Sequence, residues 1–258
     1  MKRKRIPKWA VQHFDDFLNH IDRINKFLII TIAGVTRLPH LPNLFIALLD
    51  AEENEDIHSN SKQIEEAKQH AEFAKEEIEN GFQLIYSQSL IGYWTSLEML
   101  VKNFIVALLI NNAKARSCQE LKRIKIKFGE YEALDKIDRY NYIYDLLEES
   151  IGAKIKRGIN RFEAVMKLFN LTSQVDSKTE RYLFELYNIR NIFVHRRGIA
   201  DTKIVNCCPR LRLKKNKHII ITSEMYKSYN KALQIYALEL IQRVRVYFGM
   251  KRYEPKNK

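Results

Sequence analysis

The sequence predicts an all-α protein, a helical bundle with one small β-hairpin inserted before its last helix. Three observations point there. Glycine numbers 8 and proline 5 among 258 residues, too few for the many tight turns of a sandwich or a propeller. Apolar residues recur at intervals of three and four through most of the chain, which is the helical period. With 46% hydrophobic and 29% charged residues, the chain can bury one sizeable core and is not wholly disordered.

The elements follow in order. Over residues 9–30, Phe14, Phe17, Leu18, Ile21, Ile24 and Leu28 keep the helical spacing. Leu38-Pro39-His40-Leu41-Pro42 breaks it, and Asn43 is suited to cap a short helix reaching Asp50. Residues 59–80 form a strongly charged helix with a thin seam of Ile64, Ala67, Ala71, Ala74 and Ile78, and Gly81 kinks the chain before a helix over 82–111. Helices are expected over 131–150, 160–171 and 177–196. Asp176 or Ser177 caps the last of these, with Glu180 at the reciprocal capping-box position. After Gly198 the pattern changes. Lys203-Ile204-Val205 reads as extended, and 210–213 with 218–222 as a hairpin turning at Lys215-Asn216. A final helix covers 223–248. Residues 1–60 are expected to be a helical extension packed on a core domain of 61–258.

Forty-four lysines and arginines against 31 acids give a net charge of +13. Residues 50–80 carry eleven acids and three lysines, so the remainder holds +21. Residues 114–127 are basic, and 190–217 hold nine cations against Asp201 alone. Clustered cations suit a polyanion, since binding one releases its counterions; the other reading is a lysine-rich solvated surface. The three cysteines, Cys118, Cys207 and Cys208, have no metal-ligand spacing and fit a reducing, cytoplasmic setting. The longest apolar runs, 27–35 and 104–110, are far shorter than the ~20 residues of a span. The basic start, 1–8, is followed too soon by Asp15, Asp16 and Asp22 to serve as an export signal. No membrane partner is expected.

Ile91, Trp94, Glu98, Val101, Ile105 and Leu108 recur at three and four, so Glu98 lies along a core-facing stripe. An ionised carboxylate there needs a cation from another helix, or a place at the stripe's edge where it reaches water. On the helix over 177–196, Tyr182, Leu186, Ile189 and Phe193 converge on one side, and Asn188, Asn191 and His195 project nearly opposite. Arg190 stands ~140° from His195 around an ideal helix. The two converge only if the long arginine reaches round, if the helix loosens before Gly198, or if two copies face each other; Phe184 and Tyr187 beside them suit a self-complementary interface. The plainer alternative is a histidine favoured by the helix C-terminus and an arginine paired with Glu98.

Arg190-Asn191-Ile192-Phe193-Val194-His195 resembles the Arg-x4–6-His signature of the HEPN superfamily, in its form with asparagine after the arginine. The continuation to Gly198 and Asp201 is similar to His-x-x-Gly-x-x-Asp in several HEPN families, and Gly92-Tyr93-Trp94-Thr95-Ser96-Leu97-Glu98 resembles their earlier core helix. The likeness runs over roughly 61–247 and is nearest to the RiboL-PSP-HEPN-like nucleases of prokaryotic toxin and defence systems.

That resemblance implies a helical bundle dimerising about the motif helices, and metal-independent cleavage of RNA through attack of a 2′-hydroxyl. It assigns His195 and Arg190 as the catalytic pair, Asn191 as their polar support and Glu98 as the holder of Arg190. An imidazole changes charge near neutral pH and suits proton transfer, and a guanidinium offers a permanent charge and a fork matched to phosphate. Arg196, Arg197, Lys203, Arg210, Arg212, Lys214 and Lys215 are the candidate RNA contacts. The expected partners are RNA, a second copy of the chain and a neutralising protein; no cofactor or metal is signalled. Two other functions fit the same residues, namely an inactive HEPN subunit that binds a partner and a basic helical nucleic-acid-binding protein.

Overall fold

In the computed structural model, residues 5–51 and 61–253 are described. The expectations for 1–4 and for the acids between 52 and 60 lie outside them. Helices, 3-10 turns included, hold 77% of the described residues, which form no sheet, so the protein is all-α.

Helix α1 (Lys8–Arg37) runs through a 3-10 turn (Leu38–His40) directly into α2 (Leu41–Ala51), and α3 (Ser61–Glu79) packs back along them. Asn43 lies inside α2 rather than capping it, because Pro39 falls in the tightened turn and Pro42 in the first turn of α2, where neither interrupts the helical path. At the end of α3, Gly81 and Phe82 both adopt left-handed φ (70° and 60°), which turns the chain into α4 (Gln83–Asn111). Helix α4 is the centre of the bundle. Apolar nearly all round and mostly buried, it touches α1, α7, α8, α9 and α11. Phe14 of α1 meets Phe104 at 5.7 Å, and Trp94 lies 5.6 Å from Phe162 and 5.3 Å from Tyr187. Tyr93 hydrogen-bonds Asn25 of α1 and Tyr226. By length and composition two stretches, Lys8–Leu49 and Gln83–Asn111, are apolar enough to cross a membrane; in the fold most of the second is buried as a core helix.

The expected helix over 131–150 is two. Helices α5 (Gln119–Arg123) and α6 (Phe128–Glu132) are short, and α7 (Lys136–Ser150) begins afresh because the Asp135 carboxylate accepts from Ile137 and Asp138 N–H. Helix α8 (Asn160–Leu168) is followed by α9 (Ser177–Arg196), capped by Asp176, which accepts from Thr179 N–H at 2.9 Å. With Asp176 as the cap, the third helical position is Thr179, so Glu180 sits one residue too late for a reciprocal capping box. Asp176→Ala is expected to cost ~1 kcal/mol, lowering the melting temperature by roughly 2–4 °C. An unchanged transition in a thermal unfolding scan would contradict this.

The segment after α9 corrects the sequence reading. Gly198 has φ +82°, and a Cβ there would lie 2.9 Å from the Phe193 ring, so only glycine makes the reversal. Asp201 accepts from Ile204 N–H and starts α10 (Thr202–Cys207), where an extended run was expected. The β-branched Ile204-Val205 suggested a strand, but the buried side chains are Ile204 and Cys208, four apart. Pro209–Leu211 is a 3-10 turn. Instead of a 210–213/218–222 hairpin there is one antiparallel bridge, Ile199 with His218. Helix α11 (Ser223–Tyr247), capped by Thr222, closes the bundle. Its Arg243, 4% exposed, ties α11 to α8 through Glu163 at 2.8 Å.

Candidate functional site

Arg190, Asn191 and His195 occupy the last two turns of α9, anchored from below by Leu183, Leu186 and Ile189 in the core. The half-buried Arg190 turns inward. Its Nη2 lies 3.8 Å from Glu98 Oε2 on α4, and its Nη1 donates to Asn191 Oδ1 at 3.0 Å. Its buried Nε has no protein partner among the described residues.

Glu98 is half-buried at the edge of its stripe and meets a second cation, Arg161 Nη1, at 3.5 Å. Arg161 in turn forks onto Glu148 through two 2.7 Å bonds, and the Tyr144 hydroxyl donates to the same carboxylate at 3.1 Å. Glu148 is 1% exposed. An alternating chain of charge thus runs Glu148–Arg161–Glu98–Arg190–Asn191, with two carboxylates balancing two guanidiniums. Sequence reasoning found Glu98 and Arg190 but missed Arg161 and Glu148. The signal available for Glu148 was its place one turn beyond the buried Tyr144 and beside Leu147.

His195 points the other way, into solvent. It lies with Asn191, Tyr187, Arg196, Asp201 and Lys203 around a cleft of ≈ 320 Å³ between the end of α9 and the start of α10. Two of the sequence-predicted RNA contacts, Arg196 and Lys203, are therefore beside His195. Asp201 lies 3.9 Å from Arg196 and tempers its charge. Arg190 does not line this cleft and reaches it only through Asn191, whose amide oxygen it holds. Arg197 sits on the far side of the α9 end, in a larger groove of ≈ 1060 Å³ with Phe193 and His218. Arg210, Arg212, Lys214 and Lys215 are exposed on the loop after α10. Among the described residues, no three of His, Cys, Asp and Glu come together as metal ligands.

Asn188 departs from its expected place. It is buried, and its Nδ2 donates back to Phe184 O at 2.7 Å. Cys208 and Arg210 of the following segment lie near Glu185, Ile204 meets Asn188 and Ile192 in the floor of the cleft, and Glu185, Asn188 and Ile192 form a second buried row on α9. Burial pushes the Glu185 carboxyl above the ordinary carboxylate range, and Arg210 and Arg181 offset part of that. Burial and the adjacent Cys207 likewise push the Cys208 thiol up.

Raising a carboxyl on folding favours the folded state while the group is protonated. The contribution is fully present below the unfolded-state value and is lost as pH rises through the folded one. Glu185→Gln keeps the shape without the charge, so the variant is expected to melt above the wild type at about pH 8 and close to it at about pH 3. A gap that widens toward acid pH in paired melting curves would contradict this.

Comparison of the chain with protein-family models, curated proteins and solved structures finds no match. The functional reading therefore stands on the residues and their geometry.

Proposed function

We propose that the protein is a metal-independent endoribonuclease of HEPN type, acting as a homodimer about α9 in a toxin or defence role. The observation that carries this reading is the cleft where an exposed imidazole, His195, stands beside Asn191 and two cations, Arg196 and Lys203. An RNA backbone entering it meets positive charge that favours phosphate and a side chain able to move a proton.

The reaction needs a base for the 2′-hydroxyl, an acid for the leaving 5′-oxygen and charge on the phosphoryl oxygens. One chain presents one His195 to its cleft, with Arg190 one residue removed behind Asn191. Two clefts brought together about a twofold axis supply two imidazoles, one accepting the proton of the attacking hydroxyl and the other donating to the leaving oxygen. Arg190 then stabilises the phosphoryl charge, held in register by Glu98 and coupled to the cleft by Asn191. Incubating the purified chain with RNA in EDTA tests this. The expected products carry 2′,3′-cyclic phosphate and 5′-hydroxyl ends; intact RNA, or 3′-hydroxyl ends, would contradict it.

A second reading has its own support. Arg190 is already engaged by Glu98 and does not line the cleft, which is how an inactive HEPN subunit would use the same residues, for packing against a partner. Expression in cells separates the two, because an active ribonuclease arrests growth in a His195-dependent way and an inactive subunit does not.

A further inference from the structure

We infer that the arm formed by the distal half of α1 and by α2 is a docking surface for an anionic lipid bilayer. This inference is independent of the ribonuclease reading. Residues 27–51 hold two formal charges, Arg37 and, at the far end of α2, Asp50, and the rod they form is about 37 Å long. Of residues 27–49, only Leu28 and Pro42 are buried in the fold. The helical path is unbroken, since Arg37, Leu38 and Leu41 all keep right-handed helical angles.

Two opposite sides of this rod have different fates. Leu28 and Pro42 are buried on one side, against which α3 packs its seam of Ala67, Ala71 and Ala74. On the other side Phe27 and Ile30 stand 68% and 70% exposed. Past Gly34 and Arg37 the same row continues at the helical spacing with Leu41, Leu44 and Leu48; Leu44 and Leu48 are 55% and 54% exposed. No described element covers it. Contiguous apolar surface of this kind marks an interaction site.

Charge selects the occupant. The row Arg23, Phe27, Ile30, Gly34, Arg37 contains two exposed arginines and no carboxylate. The acids of α3, among them Glu66, Glu72 and Glu76, lie on the helix packed against the opposite side. A second copy of the chain would bring the same two arginines and no acid to meet them, so self-association through this row sets like charge against like. A bilayer with anionic headgroups satisfies both features, because the leucines, Phe27 and Ile30 enter the acyl boundary and the arginines reach up to phosphate and carboxylate. Apolar side chains that share one side of the rod suffice for it to lie in such an interface.

Co-sedimentation of the full chain with vesicles tests this. Binding is expected to vesicles of three parts phosphatidylcholine to one part phosphatidylserine, to weaken without phosphatidylserine, and to weaken with added salt. The double variant Ile30→Asp/Leu44→Asp is expected to lose roughly tenfold or more in vesicle affinity, with an unchanged far-ultraviolet spectrum since both side chains are exposed. Arg23→Glu/Arg37→Glu is expected to abolish the preference for the anionic lipid. No binding to either vesicle would overturn the proposal. So would sedimentation velocity showing a dimer that Ile30→Asp/Leu44→Asp dissociates while vesicles stay unbound, which would give the surface to a second copy. Binding unaffected by the aspartates would overturn it as well.

Discussion

His195→Ala is expected to reduce RNA cleavage by about 10²–10⁴-fold, the usual loss when a positioned proton-transfer group is removed. The fold should be untouched, because the imidazole is exposed and makes no hydrogen bond to the described residues; surface changes of this kind stay within about 0.5 kcal/mol. The dimer should persist too, which separates a chemical role from a packing one. Arg190→Ala is the contrasting variant. It removes phosphoryl charge and also leaves Glu98 with Arg161 alone, so it is expected to lose both cleavage and some stability. A time course of RNA cleavage in EDTA, with melting curves for each protein, checks both. Undiminished cleavage by His195→Ala would refute the assignment.

The largest stability effect is expected at Arg161. Removing this side chain strands the Glu148 carboxylate, 1% exposed, with only the Tyr144 hydroxyl. Breaking a buried pair from one side costs 3–5 kcal/mol. Because Arg161 itself is a third exposed, water screens part of its charge and the expected cost of Arg161→Ala is about 3 kcal/mol. That is roughly 6–12 °C in melting temperature for a chain of this size. Replacing both partners with methionine should recover part of the loss, since no charge is then left buried. If Arg161→Ala melts within a degree or so of the wild type, the buried network is not what holds α7, α8 and α4 in register.

The long helices were legible because their apolar spacing is a local signal. Residues 177–196 were bounded by a cap at Asp176 or Ser177, of which the fold uses Asp176, and by Gly198. The 199–222 region was not, because its outcome depends on what it packs against. Ile204 and Cys208, one helical turn apart, are both buried, and that gain outweighs the strand preference of Ile204-Val205. Asn188 was misplaced for the same reason: one helix's pattern locates its main contact, and the covering segment comes from elsewhere in the chain. At the site, His195, Asn191 and Glu98 could be read from helical spacing. Arg161 and Glu148 could not, since a pairing across 13 residues and two helices leaves no period in the sequence. The acidic cast of α3 was visible, but its consequence, an arm acidic on one side and apolar with arginines on the other, appears only once α3 is folded back on α1 and α2.

The central claim is that His195 and Arg190 act on one scissile phosphodiester. The most direct measurement is a crystal structure of the protein with an RNA oligonucleotide blocked by a 2′-O-methyl group at the cleavage site. The expected result is a twofold dimer in which both His195 rings flank a single phosphodiester and Arg190 reaches its oxygens. RNA bound elsewhere, or His195 rings facing separate solvent while Arg190 stays against Glu98, would contradict it.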